Sequence, residues 1–222
     1  KIAEKKGIKR FLLMSALGAS PDPNGSKYMQ AKHLSEQAVQ NTSLDWTIIR
    51  PSSLFGDPRG NDRPEFCMML DKLMLSLVPY PKFFPFPAPS FFTGINPFDA
   101  GNYALSMIHV KDVATLFVKI LEDKDSLNQT IEIGGDREVT WNEVVTSIAK
   151  ATNRRVIMTP APFFVVASIA GIFDRFAWFP AGKDQLNDLI KGSVCDSSEL
   201  FKKHSINPIP FSIENLKYIS GQ

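Results

Sequence analysis

The sequence predicts an α/β fold built around a parallel sheet, and three observations predict it. Gly7 closes a short helix and precedes an apolar run, residues 8–15, that is typical of a buried strand. Residues 26–40 have a helical composition. Residues 44–50 form a second strand, which Pro51 stops because proline lacks the N–H that a central strand needs. A strand, a helix and a strand in succession favour parallel pairing through a crossover helix.

The composition excludes several classes of protein. The chain has 222 residues, of which 44% are hydrophobic, and a formal net charge of +2. A folded chain of this size hides roughly 70% of the surface it would expose when unfolded, so it needs no metal or disulfide to hold its core. The scattered Lys and Arg residues argue against a nucleic-acid-binding face, and no apolar run approaches the ~20 residues that span a bilayer. Two distant cysteines, Cys67 and Cys195, indicate a reducing compartment.

Further elements follow along the chain. Residues 65–78 have a helical composition, whereas five prolines among residues 79–89 predict a loop or lid. Asp112 is a predicted N-cap for a helix with one apolar face, and Thr140 with Glu143 forms a capping box before a helix whose apolar face points inward. Strands are predicted at 130–133 and 155–159, and helices at 162–179, 183–190, 197–203 and 212–219.

A phenol and an ammonium group stand one helical turn apart at Tyr28 and Lys32, shortly after the predicted strand that ends in Ser15. A tyrosine with its ordinary pKa of about 10 is a poor acid or base at neutral pH, but a neighbouring ammonium group stabilises the phenolate and lowers that pKa. A serine hydroxyl at the strand end can hold a substrate oxygen while Tyr28 moves the proton. Because the same spacing occurs by chance in many helices, a structural role for the pair stays open.

Three motifs in order resemble the second half of an extended or atypical short-chain dehydrogenase/reductase. They are residues 7–19, the Tyr28–Lys32 pair with Glu36 following, and the segment 45–56, Asp-Trp-Thr-Ile-Ile-Arg-Pro-Ser-Ser-Leu-Phe-Gly. Within that superfamily the chain is most similar to the branch that contains the NAD(P)-binding accessory subunit of respiratory complex I and its bacterial relatives. The residues that suggest this branch are those at 15–19, 45–51, 160–164 and 182–186.

The resemblance implies a doubly wound, Rossmann-type parallel sheet, of which this chain supplies the C-terminal part, followed by a smaller, mostly helical subdomain. It implies NADP(H) or NAD(H) as cofactor, with NADP(H) slightly preferred by analogy. The family pattern makes Ser15, Tyr28 and Lys32 catalytic, and it places Tyr28 and Lys32 at the nicotinamide ribose. The nicotinamide itself should be lined by the backbone of Pro51, Ser52, Ser53 and Leu54.

Two functions follow from the resemblance. The first is an oxidoreductase or epimerase-like enzyme that acts on an unidentified small molecule through Ser15, Tyr28 and Lys32. The second is a non-catalytic NAD(P)H-binding accessory or assembly subunit of a respiratory NADH dehydrogenase complex, in which the bound dinucleotide stabilises the fold. Either protein is expected in the cytoplasm or an organelle matrix, and contact with an inner membrane or a respiratory complex is a further expectation.

The sequence departs from the family pattern in two places. No Gly-x-x-Gly-x-x-Gly loop occurs, so roughly 100 residues with the first mononucleotide-binding half are expected upstream. Residues 1–125 are then the C-terminal portion of the dinucleotide-binding domain, and residues 126–222 are a smaller substrate or partner subdomain. The stretch 76–102 is rich in Phe and Pro, which predicts a lid, a partner surface or a membrane-facing patch. No metal is expected, because the histidines lie far apart without ligand spacing, at His33, His109 and His204.

Overall fold

Parallel strands and helices alternate along the chain, and a computed structural model describes residues 2–23, 25–59, 65–72, 84–165, 167–168 and 183–220. The strands are β1 (Arg10–Met14), β2 (Asp45–Pro51), β3 (Leu54–Phe55), β4 (Phe86–Phe92), β5 (Ala104–Leu105), β6 (Ile108–His109), β7 (Gln129–Ile133), β8 (Val139–Thr140) and β9 (Val156–Pro162). The α-helices are α1 (Ile2–Lys5), α2 (Lys27–Gln40), α3 (Phe66–Leu70), α4 (Val110–Glu122), α5 (Trp141–Ala151), α6 (Lys183–Ile190) and α7 (Ser198–Lys203). Short 3-10 helices cover Pro97–Asp99, Lys124–Ser126 and Glu214–Ser220. Most of the helix predicted at 162–179 lies outside the described residues.

Strands β1, β2 and β7 form the central sheet, in that order, and both pairings are parallel. Leu12 of β1 lies opposite Thr47 of β2, and Ile49 of β2 lies opposite Ile131 of β7. Helix α2 connects β1 to β2 and forms the predicted strand–helix–strand unit. Parallel strands need such a crossover connection. The α/β fold class predicted from the sequence is therefore confirmed.

The two faces of the central sheet are both covered by helices. On one face, Ile49 belongs to a buried cluster with Leu116 of α4 and Phe201 of α7. Successive side chains of a strand point to opposite faces, so the neighbouring Arg50 points to the other face. There it forms an ion pair with Glu36 of α2. Helices on both faces are the arrangement of a doubly wound sheet.

Strand β7 belongs to this sheet although it follows the predicted division near residue 125. Thr47 of β2 lies opposite Gln129, and Pro51 lies opposite Ile133. The central sheet therefore takes strands from both predicted parts of the chain.

A second hydrophobic core lies under α5. Trp141, Val144 and Ile148 of this helix are buried, as the capping-box prediction of an inward apolar face requires. The ring centre of Trp141 lies 5.6 Å from that of Phe91 on β4. The Trp141 indole N–H donates a hydrogen bond of 2.9 Å to the carbonyl oxygen of Pro89. This core therefore joins α5 to the Phe- and Pro-rich part of the chain.

The proline-rich stretch contains a strand where the sequence predicts only a loop. Strand β4 pairs in parallel with β9 from Phe86, opposite Val156, to Phe92, opposite Pro162. Proline is tolerated here because β4 and β9 pair only with each other among the strands of the described ranges, so each has a side that no other described strand covers. The prediction of an irregular loop is therefore wrong for residues 86–89, and residues 73–83 lie outside the described part of the chain.

The two predicted helix caps have different outcomes. Thr140 caps α5 as predicted, because its side-chain oxygen accepts a backbone N–H at 3.2 Å, an interaction that stabilises a helix by about 1 kcal/mol. The prediction that Asp112 is an N-cap is wrong, since α4 begins directly after His109, whose Nδ1 accepts a backbone N–H of the first turn. The Asp112 carboxylate lies within that turn and accepts the N–H of Ile209 at 2.8 Å. It joins the C-terminal segment to α4.

The described ranges contain neither a membrane-spanning helix nor a cluster of side chains that could hold a metal ion. None of the helices there is long and apolar enough to cross a bilayer. Nor do three or more His, Cys, Asp or Glu side chains of that part of the chain come together where they could hold a metal ion. Two of the histidines have structural contacts: His109 caps α4, and His204 lies 3.4 Å from Asp123.

Candidate functional site

The candidate site lies at the edge of the central sheet where β1 and β2 both end. Parallel strands present their carboxyl ends on one side, and open α/β sheets bind ligands on that side. Backbone hydrogen bonds join the two strand ends. The N–H of Ser15 donates to the carbonyl oxygen of Ile49 at 2.7 Å, and the N–H of Leu17 donates to the carbonyl oxygen of Pro51 at 2.9 Å. The end of β1 and the segment 51–54, which the sequence singled out separately, are therefore adjacent.

Helix α2 brings Tyr28 and Lys32 to this edge. Its N-cap is Ser26, whose side-chain oxygen accepts a backbone N–H of the first turn at 3.2 Å. The Lys32 ammonium lies 5.5 Å from the centre of the Tyr28 ring and donates a hydrogen bond of 3.2 Å to the carbonyl of Met14, at the end of β1. The Tyr28 side chain is 55% exposed, so it can meet a ligand. Two of the three predicted catalytic residues thus lie together at the strand end.

The electrostatic environment of the Tyr28 hydroxyl differs from the predicted one. Partial burial raises the pKa of Tyr28 above its ordinary value, and the negative charge of Asp188 raises it further. The Lys32 ammonium hydrogen-bonds the Met14 carbonyl rather than the phenol oxygen. The pKa of Tyr28 is therefore shifted in the direction opposite to the predicted one in this arrangement.

Ser15 is buried at the same edge. Its side chain is 2% exposed, and in the described part of the chain its Oγ meets no partner with full hydrogen-bond geometry. The Ser15 side chain affects the pKa of the Glu36 carboxylate. Burial acts to raise the pKa of Glu36, but the hydrogen bonds from Arg50 and the nearby polar hydroxyl of Ser15, which acts in the same direction, together outweigh it, so that this pKa lies below its ordinary value. The structure therefore places the Ser15 hydroxyl beside Glu36 and out of solvent, and its part in proton transfer stays a prediction.

Protein contacts already hold the segment that follows β2. The Ser52 Oγ lies 2.9 Å from both the carbonyl oxygen and the Oγ of Ser193. The carbonyl of Ser53 accepts the N–H of Ile108 at 2.9 Å, and Leu54 lies opposite Ile108 in the pairing of β3 with β6. The hydroxyl of Ser52 is therefore already hydrogen-bonded to a residue that follows α6. Lining of the nicotinamide by residues 51–54 stays a prediction.

Sequence reasoning missed Asp188, which lies on α6. Its Oδ2 accepts a hydrogen bond of 2.5 Å from the Oγ of Ser26, the N-cap of the helix that carries Tyr28. The contact joins residues 162 positions apart, and the contact of Ser52 with Ser193 joins residues 141 positions apart. No local pattern in the sequence marks either contact, because each depends on how distant parts of the chain pack.

Surface cavities of about 340 and about 300 Å³ lie elsewhere. Gly135, Ser198 and Asn207 are among the residues that line the first, and Phe92 and Tyr103 are among those that line the second. None of the predicted catalytic or cofactor-binding residues lines either cavity. These two cavities are therefore separate from the candidate site.

A family comparison indicates the type of ligand. Residues 1–65 match a protein-family model described as NAD(P)H-binding. The matched segment contains all of the predicted site residues, from Ser15 through Tyr28 and Lys32 to the segment 51–54. The cofactor type is therefore a nicotinamide dinucleotide. The residues present fit such a ligand, because a half-exposed phenol and an ammonium group stand where parallel sheets bind nucleotides.

Curated relatives extend the likeness over nearly the whole chain. NADH dehydrogenase (ubiquinone) 1 alpha subcomplex subunit 9, mitochondrial, of Mus musculus is 27% identical over 225 residues, covering 98% of this chain and 52% of that protein. The resemblance to the atypical short-chain dehydrogenases is confirmed. The NADH-ubiquinone oxidoreductase 40 kDa subunit, mitochondrial, of Neurospora crassa is 24% identical over 217 residues, covering 96% of this chain and 50% of that protein. The chain spans about half the length of these relatives.

Solved structures share the Rossmann-type fold of this chain. The UDP-glucose 4-epimerase of Thermus thermophilus, in complex with NAD, aligns with a TM-score of 0.60 and 18% identity over 99% of this chain and 65% of that chain. A nucleoside-diphosphate-sugar epimerase from Staphylococcus aureus aligns with a TM-score of 0.61 and 13% identity over 98% of this chain and 67% of that chain. Identities this low show the fold alone, and they agree with the doubly wound sheet.

Proposed function

We propose that this chain is part of an NAD(P)H-binding protein of the atypical short-chain dehydrogenase type that holds its dinucleotide without turning it over. In this role it is an accessory or assembly subunit of a respiratory complex, next to an inner membrane. The mitochondrial NADH dehydrogenase subunits among its relatives support that setting. NADPH is the first ligand to test, by analogy with the complex I subunit that the motifs resemble.

The observation that carries the binding role is the position of Tyr28 and Lys32 at the carboxyl end of β1. An ammonium group has three N–H donors, of which the Met14 carbonyl engages one at 3.2 Å. The remaining donors and the Tyr28 hydroxyl can bind the hydroxyl groups of a ribose. Half of the Tyr28 side chain is exposed, which leaves room for the nicotinamide ribose against it.

Two features support binding without turnover. The pKa of Tyr28 is raised by burial and by Asp188, so the phenolate that would accept a proton is disfavoured. The Ser15 hydroxyl is buried near Glu36 and out of solvent, where it is less available to a substrate. A ligand that binds only the native state stabilises it by about 2.7 kcal/mol at a hundred times its Kd, which is sufficient reason to retain a dinucleotide in a subunit without chemistry.

Proton transfer during hydride transfer or epimerase-like chemistry is the second candidate function. It is favoured by the half-exposed phenol of Tyr28 with the Lys32 ammonium one helical turn away. A protonated Tyr28 can act as a general acid toward the oxygen of a carbonyl substrate, and a ligand that displaces the Met14 contact would let Lys32 reach the phenol oxygen.

One experiment separates the two functions. The full-length protein is titrated with NADPH and with NADH while the nicotinamide fluorescence is followed, and it is then offered a panel of small ketones, quinones and sugar nucleotides. We expect saturable binding, a raised melting temperature and no consumption of the reduced dinucleotide. Consumption by the wild type that is lost in Tyr28→Phe would establish the second candidate. Failure of both dinucleotides to bind would overturn both functions.

A further inference from the structure

We propose that the buried ion pair of Glu36 and Arg50 is a positioning element of the dinucleotide site, an inference that rests on the proposed function. The Glu36 side chain is 2% exposed, and that of Arg50 is 22% exposed. Arg50 donates two hydrogen bonds to the carboxylate, from Nε to Oε1 at 2.9 Å and from Nη2 to Oε2 at 2.7 Å. Such a two-point contact fixes both distance and direction.

The pair acts on the helix face that carries the site. Tyr28, Lys32 and Glu36 follow one another at intervals of four residues, so they lie on one face of α2. Lys32 is bound to Met14 at the end of β1, and Glu36 is bound to Arg50 near the end of β2. These two contacts start one helical turn apart on α2 and end on two different strands. Together they fix the position of α2 along the sheet and its rotation about its own axis, and so the position of Tyr28 at the sheet edge.

The same guanidinium group reaches the other side of the site. Arg50 directly precedes Pro51, where the segment predicted to line the nicotinamide begins. Its Nη1 also donates a hydrogen bond of 3.4 Å to the Oε1 of Glu132, which lies opposite it on β7. One side chain therefore connects α2, β2 and β7 at the level of the candidate site.

The contribution of this pair is orientation rather than stability. Removing two charges from water costs free energy that their attraction only partly offsets. For this reason, well-packed apolar residues of similar volume often replace a buried ion pair with no loss of stability. Apolar contacts have no preferred direction, however, so they let a helix slide along a strand. Directional hydrogen bonds, by contrast, keep Tyr28 and Lys32 in the orientation that contact with a ligand requires.

The test exchanges the pair for apolar residues of similar length. The double variant Glu36→Met/Arg50→Met is prepared in the full-length protein. The control is Arg137→Met/Glu143→Met, which removes an ion pair with side chains 46% and 38% exposed. We expect the first variant to keep the melting temperature of the wild type and to weaken NADPH binding by about tenfold or more, because a displaced binding group loses its contact with the ligand. We expect the control to leave the affinity unchanged.

A second variant keeps the test decisive if the double variant does not fold. Arg50→Lys retains the charge but loses the two-point contact, and we expect it to weaken NADPH binding several-fold and to lower the fluorescence anisotropy of the bound nicotinamide. Wild-type affinity in either folded variant would overturn the positioning role while leaving the proposed function intact. Failure of the wild type to bind NADPH or NADH is a different result, and it would overturn the proposed function itself.

Discussion

The Oδ2 atom of Asp188 lies 2.5 Å from the Oγ of Ser26, so helix α6 meets the N-cap of α2, 162 positions earlier in the chain. This contact places a carboxylate near Tyr28, where its negative charge opposes formation of the phenolate. The pKa of Tyr28 is therefore raised in part by a residue that is distant from it along the chain.

Asp188→Asn should lower the pKa of Tyr28. The substitution removes the negative charge that raises this pKa but keeps a side chain that can accept a hydrogen bond from Ser26. Ultraviolet difference titration of the tyrosines measures the change. The same titration in a Tyr28→Phe background identifies which part of the signal belongs to Tyr28. An unchanged or higher pKa would show that Asp188 does not act on this phenol.

Lys32→Met should weaken NADPH binding by roughly 10- to 100-fold, because a hydrogen bond from a charged group contributes about 1.5–3 kcal/mol. The methionine keeps an unbranched side chain of similar length and removes the ammonium group. Fluorescence titration with NADPH measures the affinity. Lys202→Met is the matched control, since the Lys202 side chain is 73% exposed and pairs only with the neighbouring Glu199 among the contacts described. An equal loss of NADPH affinity in the two variants would indicate a general effect of net charge instead of a contact made by Lys32.

Tyr218→Phe should destabilise the fold by about 1–3 kcal/mol. The Tyr218 hydroxyl donates a hydrogen bond of 2.8 Å to the Oε1 of Glu65 and accepts the N–H of Gly56 at 3.0 Å. Its removal takes one hydrogen bond from the buried carboxylate, which keeps its backbone N–H donors, and takes the acceptor from the N–H of Gly56. Urea unfolding measures the free energy. Tyr103→Phe is the control, because the buried Tyr103 hydroxyl has no hydrogen-bond partner within the described ranges and its loss should cost little. Similar losses in both variants would contradict this explanation.

The stability of the protein should depend on pH through Glu65. Burial raises the pKa of Glu65 above its ordinary 4.5, although backbone hydrogen bonds from Cys67 and Met68 partly offset this. The native state then binds the proton more tightly than the unfolded state. This contribution is complete below the unfolded pKa and is lost as the pH rises through the native pKa. Urea unfolding between about pH 4 and pH 7 should show this loss in the wild type but not in Glu65→Gln. Parallel pH profiles would exclude Glu65 as the cause.

Local patterns predicted those parts of the fold that local contacts decide. The apolar runs predicted β1 within two residues at each end and β2 within one, and Thr140 marked the start of α5, because strand patterning and helix capping act over a few positions. The proline pattern predicted a loop where the structure has strand β4. Whether Phe86 joins a strand depends on Val156, a partner far along the chain, and both strands are edges of their sheet as far as the structure describes it.

By itself, the sequence determined the alternation of strands and helices and the single helix face that carries Tyr28, Lys32 and Glu36, since helical periodicity is a property of neighbouring residues. Only the tertiary structure decided what surrounds that face. It placed Asp188 near Tyr28 and buried the Ser15 hydroxyl by Glu36. Those arrangements could not be predicted, because desolvation and charge–charge interactions depend on which distant residues pack together, and spacing along the chain carries no record of that.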